Sequence, residues 1–384
     1  MAKNVLIIGN GFDLYHKLPT RYIDFLFLVK NWSDFFDDYN RSLREKIEDL
    51  EYKKFNITLD EYGKLTNDSL RDFAKYAKSF NNDKIQTLNV IISKNAWIQY
   101  FIKSEYEKEG WIDFETEIEK VLTIIEHFFT IDVDNCVGKL FSNAVNPTIY
   151  EIIKILMNVT DSFPLKLGLY NKTDVEKIKY GNVKRNLIEE LKIDLNKLID
   201  ALKIYMEEFV EKINTPYYSE QIKNLNDINL LTFNYTNTYS YIYENVNTIH
   251  YVHGSLEDNN IVLGASGEDF ENLDYVYFQK YFQRIQKKTG ALYKKWIGKA
   301  KESYTDREIH VYIMGHSLGM TDKDILADFF YNNKNISDIT IFYHNQLAYE
   351  QLVISLIAMF GKEFIIEQTG KEKIKFVELM GAVK

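Results

Sequence analysis

The chain has few devices to hold it together apart from its own core. Of its 384 residues a single one, Cys136, is cysteine, so no internal disulfide can form. Only four are proline and no segment is low-complexity, so no flexible interdomain linker is expected. No apolar run approaches the roughly 18 residues of a membrane span. The first strand-like run begins at Asn4, leaving no room for a signal peptide ahead of it. These absences lead us to expect a cytoplasmic protein with no membrane partner. With one cysteine and no helical His-x-x-x-His pair, no metal site is expected either. The formal charge of −9 argues against wholesale wrapping by nucleic acid. A chain of this length can still bury a large core, as two domains or as one domain with a long insertion.

What is present begins with strand ends. Val5 to Ile8 is a continuous apolar run that stops at Gly9-Asn10-Gly11, the pattern of a buried parallel strand delivering a turn. A helix is expected next, with Thr20 as its N-cap and Tyr22, Ile23, Phe25, Leu26 and Val29 facing inward. From Asp34 to Tyr218 helical spacing dominates. One stripe is Ile118, Val121, Leu122, Ile125 and Phe128. A longer one is Leu191, Leu195, Leu198, Leu202, Tyr205 and Phe209, whose steps of four and three suit a helical bundle or an oligomer seam.

Alternation of strands and helices resumes at Ile228. The expected elements are strand 228–233, helix 236–245, strands 248–252 and 261–263, basic helices over 275–301, strand 309–314, helix 322–332, strand 338–343, helix 346–360 and a closing hairpin from Glu363 to Met380. This predicts an α/β fold, Rossmann-like, with a mainly parallel sheet, helices on both faces and a large all-helical insertion. Residues 1–33 would open the core, 34–222 form the insertion and 223–384 complete the core.

Four short segments fall where strands should stop, which is where open α/β sheets place ligands. Gly9-Asn10-Gly11 would let backbone approach a pyrophosphate. However, Leu14 stands where a third glycine is usual, and no acidic residue closes a second strand about 20 residues on, so an ordinary dehydrogenase fingerprint is absent. Tight turns without ligands use the same pair of glycines. Gly315-His316-Ser317-Leu318-Gly319 matches the serine-hydrolase elbow. That topology needs several further strands with an acid and a histidine, whereas His344 is the sole later histidine, one strand onward, with Asp338 just before it.

His250 and His253 lie three apart and so face opposite sides of a strand, which prevents a shared metal. His253 ends its strand before a glycine and can project into a cleft, while His250 suits a packed position. Asn234 ends another strand, where it could cap the next helix or hold a ribose hydroxyl or a water. Its pairing with His253 at neighbouring strand ends favours the ligand. Glu115, Glu117 and Glu119 suit a solvated helix face, although Trp111-Ile112-Asp113-Phe114-Glu115 could bring one carboxylate to the cleft. Over 280–301 the chain carries eight basic residues and no acid, with aromatics interleaved. This stretch suits a solvated helix face or a nucleic-acid surface.

Taken in order, Leu6-Ile7-Ile8-Gly9-Asn10-Gly11-Phe12-Asp13 through Leu18-Pro19-Thr20-x-Tyr22, Thr232-Phe233-Asn234-Tyr235-Thr236, His253-Gly254-Ser255, and Gly315-His316-Ser317-Leu318 with Asp322 resemble the AbiH family of phage abortive-infection proteins. That family is in turn similar, distantly, to the sirtuin-like NAD-consuming domains of anti-phage defence. The resemblance implies that Gly9, Asn10 and Gly11 hold a pyrophosphate. Asn234 would hold the nicotinamide ribose or the attacking water, His253 would be the general base, and Gly315 and Ser317 would line the adenosine side. Phe12, Asp13, Thr20, Tyr22, Thr232, Tyr235, Gly254, His316 and Asp322 are the other matched positions expected at the nucleotide. Two positions depart from the sirtuin-like pattern: Thr236 replaces an acid, and Asp13 replaces a small hydroxyl residue. Binding without cleavage therefore remains open.

The implied function is an anti-phage protein that binds NAD or a related nucleotide and hydrolyses it on infection. No metal would be required. A phage-derived or second-gene trigger and a homo-oligomer are the expected partners. The alternatives are a nucleotide-gated sensor that does not cleave, and a nucleic-acid-binding or nuclease-like effector using 280–301.

Overall fold

A computed structural model describes residues 4–45, 54–103, 112–131, 180–265, 273–298, 308–331 and 335–384. Cys136 and Trp111 lie outside the described residues. Six strands, β1 (Asn4–Ile8), β2 (Ile228–Thr232), β3 (Val246–Tyr251), β4 (Ile309–Met314), β5 (Ile336–Tyr343) and β6 (Ile374–Glu378), form one sheet. Their order is β3-β2-β1-β4-β5-β6, and every pairing is parallel. This is a doubly wound α/β arrangement in which the winding direction reverses between β1 and β4. Val5 to Ile8 are at most 2% exposed, as a central strand covered on both faces must be.

Register brings the tips level. Ile8 pairs with Thr232 on one side and with Met314 on the other, so Gly9, Phe233 and Gly315 emerge side by side. After β1 the chain enters a short helix at once, α1 (Asn10–Tyr15), and then α2 (Tyr22–Lys30). Thr20 does not cap α2. The cap is Arg21, whose N–H donates to Asp24 Oδ2 at 3.2 Å, while the Thr20 hydroxyl donates to Asn10 Oδ1 at 2.5 Å.

Helices dominate the described parts of 32–131 and 180–223, among them α3 (Phe114–Ile131) and α4 (Tyr180–Tyr205), while 54–66 and 211–219 are turns and isolated bridges. The stripe from Leu191 to Phe209 is wholly buried in one core with α2, with the helices of residues 67–103 and with α3. That core occupies the face that an oligomer seam would need. Ile118, Val121, Leu122 and Ile125 join the same core, whereas the side chain of Phe128 lies outside the described residues. Leu256, Ile261, Leu263, Tyr275 and Phe278, which follow β3 in sequence, also belong to it, so the helical layer packs against the segment leading to α5 (Lys280–Gln286).

Two further expectations need correction. Residues 261–263 form no strand. The Val262 N–H donates to His253 O, and the Gln283 side chain receives the Leu263 N–H and donates to the Leu263 carbonyl, so one amide does the work of a neighbouring strand. The described part of 275–301 does hold helices, α5 (Lys280–Gln286) and a short one at Tyr293–Trp296, after a 3-10 turn at Leu273–Phe278. The closing hairpin is instead a helix, α8 (Lys362–Gly370), followed by β6 running parallel to β5; α6 (Lys323–Phe330) and α7 (Gln346–Phe360) precede it. Together α7 and α8 return the chain to the starting end of the sheet, which makes β6 a crossover strand.

Candidate functional site at the strand tips

The glycine turns meet each other. A Cβ on Gly9 would lie 2.8 Å from His316 Cα, and one on Gly11 would lie 2.8 Å from Gly315 Cα. Gly315 has φ +69, and a Cβ there would fall 2.1 Å from the Phe12 nitrogen. These residues are small because two turns cross at the switch point. Their N–H groups are also used: Gly11 donates to Gly315 O at 2.8 Å, Phe12 to Gly9 O at 2.8 Å and Gly9 to Met314 O at 3.3 Å.

Around this crossing stands a group built on Asp322, at the end of the turn that leads into α6. Asp322 Oδ1 is 3.2 Å from His253 Nε2 and 3.5 Å from Lys280 Nζ, and Oδ2 is 3.4 Å from His316 Nε2. Lys280 Nζ also lies 2.5 Å from Glu115 Oε2, at the start of α3. The Phe233 ring packs edge-on against both histidines, with centroids 5.4 Å from His253 and 4.2 Å from His316. All five polar members are nearly buried.

Burial disfavours the Asp322 charge, but the Lys280 ammonium and the two histidine N–H groups outweigh it and hold the carboxyl well below its usual range. Burial, assisted by Lys280, pushes His253 down to about 4, so its imidazole is neutral at pH 7. An ionised carboxylate only accepts hydrogen bonds, so the proton of neutral His253 belongs on Nε2, which faces Asp322. The opposite nitrogen, Nδ1, is then a bare lone pair, and it is buried without a hydrogen-bond partner. His316 is fixed in the same sense, since its Nδ1 accepts the Leu318 N–H at 2.9 Å. Glu115 is pushed up to about 7 by burial, opposed by Lys280 and assisted by Asp113 and Asp322. Tyr22, stacked on Phe114, and Tyr235, whose hydroxyl donates to Val262 O, complete the surroundings of Glu115.

A second polar group lies beside the first, around Asn234. Its amide donates to Gly9 O at 3.0 Å, and its own N–H donates to Thr232 Oγ1 at 3.0 Å. It caps no helix, because the following helix (Thr238–Ile242) starts from Asn237. Asp13 on α1 accepts from Thr236 Oγ1 at 2.6 Å and is 1% exposed. Burial lifts Asp13 to about 6 against the pull of the Thr236 and Thr238 hydroxyls and the Asn234 amide. Its Oδ1 has no partner.

The structure thus brings Gly9, Asn10, Gly11, Asp13, Thr20, Tyr22, Thr232, Asn234, Tyr235, His253, Gly254, Gly315, His316 and Asp322 to one rim. Phe12 is a core residue, wholly buried against Tyr239 and Tyr243. Ser317 is exposed and has no histidine bonded to it among the described residues; Asp338 pairs with His310, and His344 is exposed, so no hydrolase triad forms. His250 packs against Tyr293 and Trp296, away from His253.

Of the two places open to it from sequence, Glu115 takes the cleft rather than the solvated face; Glu117, expected on that face, is buried, and Glu119 remains partly exposed. Lys280 is 3% exposed rather than part of a basic surface. Lys287 is also half-buried and reaches Ile261 O, and Arg284 and Lys294 pair with Asp324 and Asp328. Lys299 and Lys301 lie outside the described residues. A cavity of about 250 Å³ lined by Phe329, Phe330, Ile336, Phe364 and Ile374 sits at the far ends of the strands, and none of the unpartnered buried polar atoms belongs to its lining.

The chain is therefore a doubly wound α/β protein whose polar rim sits at the topological switch point. The family described as bacteriophage abortive infection AbiH matches residues 5–343, and the chain belongs to that family. Comparison with curated proteins and with solved structures finds no match. No group of three or more histidine, cysteine or acidic side chains that could hold a metal occurs among the described residues, and no described helix is long and apolar enough to cross a membrane.

Proposed function

We propose that the rim binds NAD or a closely related nucleotide and hydrolyses its glycosidic bond during phage infection. One observation carries this reading: Asp13 Oδ1, on the helix after β1, and His253 Nδ1, beyond the tip of β3, are buried polar atoms without hydrogen-bond partners. Native proteins leave such atoms unpaired at a cost of about 1–3 kcal/mol each, which a bound ligand would recover.

In the proposed reaction His253 Nδ1 takes a proton from water as the water oxygen bonds to the ribose anomeric carbon. The carbon–nitrogen bond breaks, its electrons leave with nicotinamide, and the proton is later released to solvent. Asp322 stabilises the imidazolium that forms, and the Asn234 amide oxygen accepts from a ribose hydroxyl or the water. General-base assistance of this kind supplies about 10²–10⁴ in rate.

A second reading, a sensor that binds without cleaving, draws on the closed crossing, where the Gly9, Gly11 and Phe12 N–H groups are already bonded to carbonyls. The two are separated by following NAD in phage-infected cells carrying the intact protein, His253→Ala or Asn234→Ala. Depletion that needs both side chains supports hydrolysis. Equal depletion in all three ends the catalytic assignment, and an unchanged pool with saturable NAD binding selects the sensor.

A further inference from the structure

We propose that Lys280 is the receptor for a phosphate of the nucleotide and that Glu115 is an internal anion which the phosphate displaces. The inference rests on the nucleotide reading above, but not on cleavage.

The glycine turn offers little to a phosphate, because three of its N–H groups are committed to protein carbonyls. Among the described residues, Lys280 is the cation that pairs with both carboxylates of the cluster. It reaches the rim from α5 and is shared between Glu115 at 2.5 Å and Asp322 at 3.5 Å. The two carboxylates are not equivalent. Asp322 is held ionised by three donors, whereas Glu115 gains only Lys280 and faces Asp113, Asp322, Tyr22 and Tyr235, none of which stabilises its charge. Glu115 is therefore the partner that gives way. It cannot swing far, since the neighbouring Phe114 is fully buried and stacked on Tyr22 and Phe101. An arriving phosphate is thus met by Glu115 taking up a proton in place. One anion replaces another on Lys280, and the buried charge is unchanged.

The test uses ADP-ribose, whose phosphodiester groups do not titrate between pH 6 and 9, with calorimetry on the full chain in buffers of different ionisation enthalpy. The intact protein should take up about one proton per ligand at pH 8 and almost none at pH 6, and its affinity should fall up to about tenfold per pH unit above pH 7. Glu115→Gln should bind about tenfold more tightly than the intact protein at pH 8, equally at pH 6, and without proton uptake. Lys280→Met should lose binding. Because that change strands buried carboxylates, the double variant Lys280→Met/Glu115→Gln, which removes both sides of the pair, serves as the folded control and should also fail to bind.

Weaker or unchanged binding by Glu115→Gln at pH 8, retained binding by the folded double variant, or no binding by the intact protein would each overturn the proposal. If ADP-ribose behaves as expected while NAD persists in cells, the phosphate site stands and hydrolysis falls. If NAD is consumed but neither substitution alters ADP-ribose binding, the reverse holds.

Discussion

Replacing Asp13 by asparagine should make this protein progressively more stable relative to the intact chain as pH rises from 5 to 7, with no further change above. Asp13 is 1% exposed, and its pKa is raised from 3.8 to about 6, chiefly by burial. A raised carboxyl binds protons more tightly folded than unfolded, so stability is lost as pH climbs from about 4 to about 6 and stays lost above that. At about 1.36 kcal/mol per pH unit, the gap corresponds to roughly 3 kcal/mol of burial penalty at neutral pH. An asparagine keeps the hydrogen bond from Thr236 but sets an amide N–H where Oδ1 has no partner, which returns about 1–3 kcal/mol. The net gain at pH 8 is therefore between about zero and 2 kcal/mol, and its pH dependence is the more robust signature. Melting temperatures of both proteins, measured from pH 5 to pH 8, should diverge as pH rises. A constant offset across that range, or an asparagine variant that falls further behind at high pH, would show that Asp13 is not a buried, strained carboxylate. A stabilised variant that no longer lowers NAD would mark the charge as kept for function rather than for folding.

Asp322→Asn should leave NAD affinity nearly intact while slowing its consumption by about 10²–10⁴, because the group that orients and charges His253 is lost; separate binding and turnover measurements check the split. Gly315→Ala should cost about 3 kcal/mol or more, since it adds a Cβ 2.1 Å from the Phe12 nitrogen at φ +69, and a melting temperature equal to that of the intact protein would contradict the crossing of the two turns. Leu198→Ala should cost about 2–5 kcal/mol by opening a cavity in the helical core, without altering the mass seen in sedimentation; dissociation of an oligomer instead would place the stripe at a subunit seam.

The sheet was legible because parallel central strands are apolar on both faces. Val5 to Ile8 therefore stands out as a continuous run and 309–314 as an alternating one ending in Ile313-Met314, and the glycines that follow mark their ends. The same logic placed Asn234 and His253 at neighbouring tips. It failed at 261–263, where an apolar run takes its hydrogen bonds from the Gln283 side chain, and over 363–380, where local pattern cannot distinguish a hairpin from a crossover.

Local sequence determined which residues could end strands, which stripes had to be covered and where glycine was needed. Only the tertiary structure decided what charges face one another there. Glu115 and Lys280 are ordinary members of an acidic helix and a basic stretch until packing of the helical layer against the segment after β3 brings them to 2.5 Å. The state of His253 likewise depends on Asp322, which arrives from a different crossover. Burial and opposing charge act through space, and residues far apart along a chain carry no periodicity that records them.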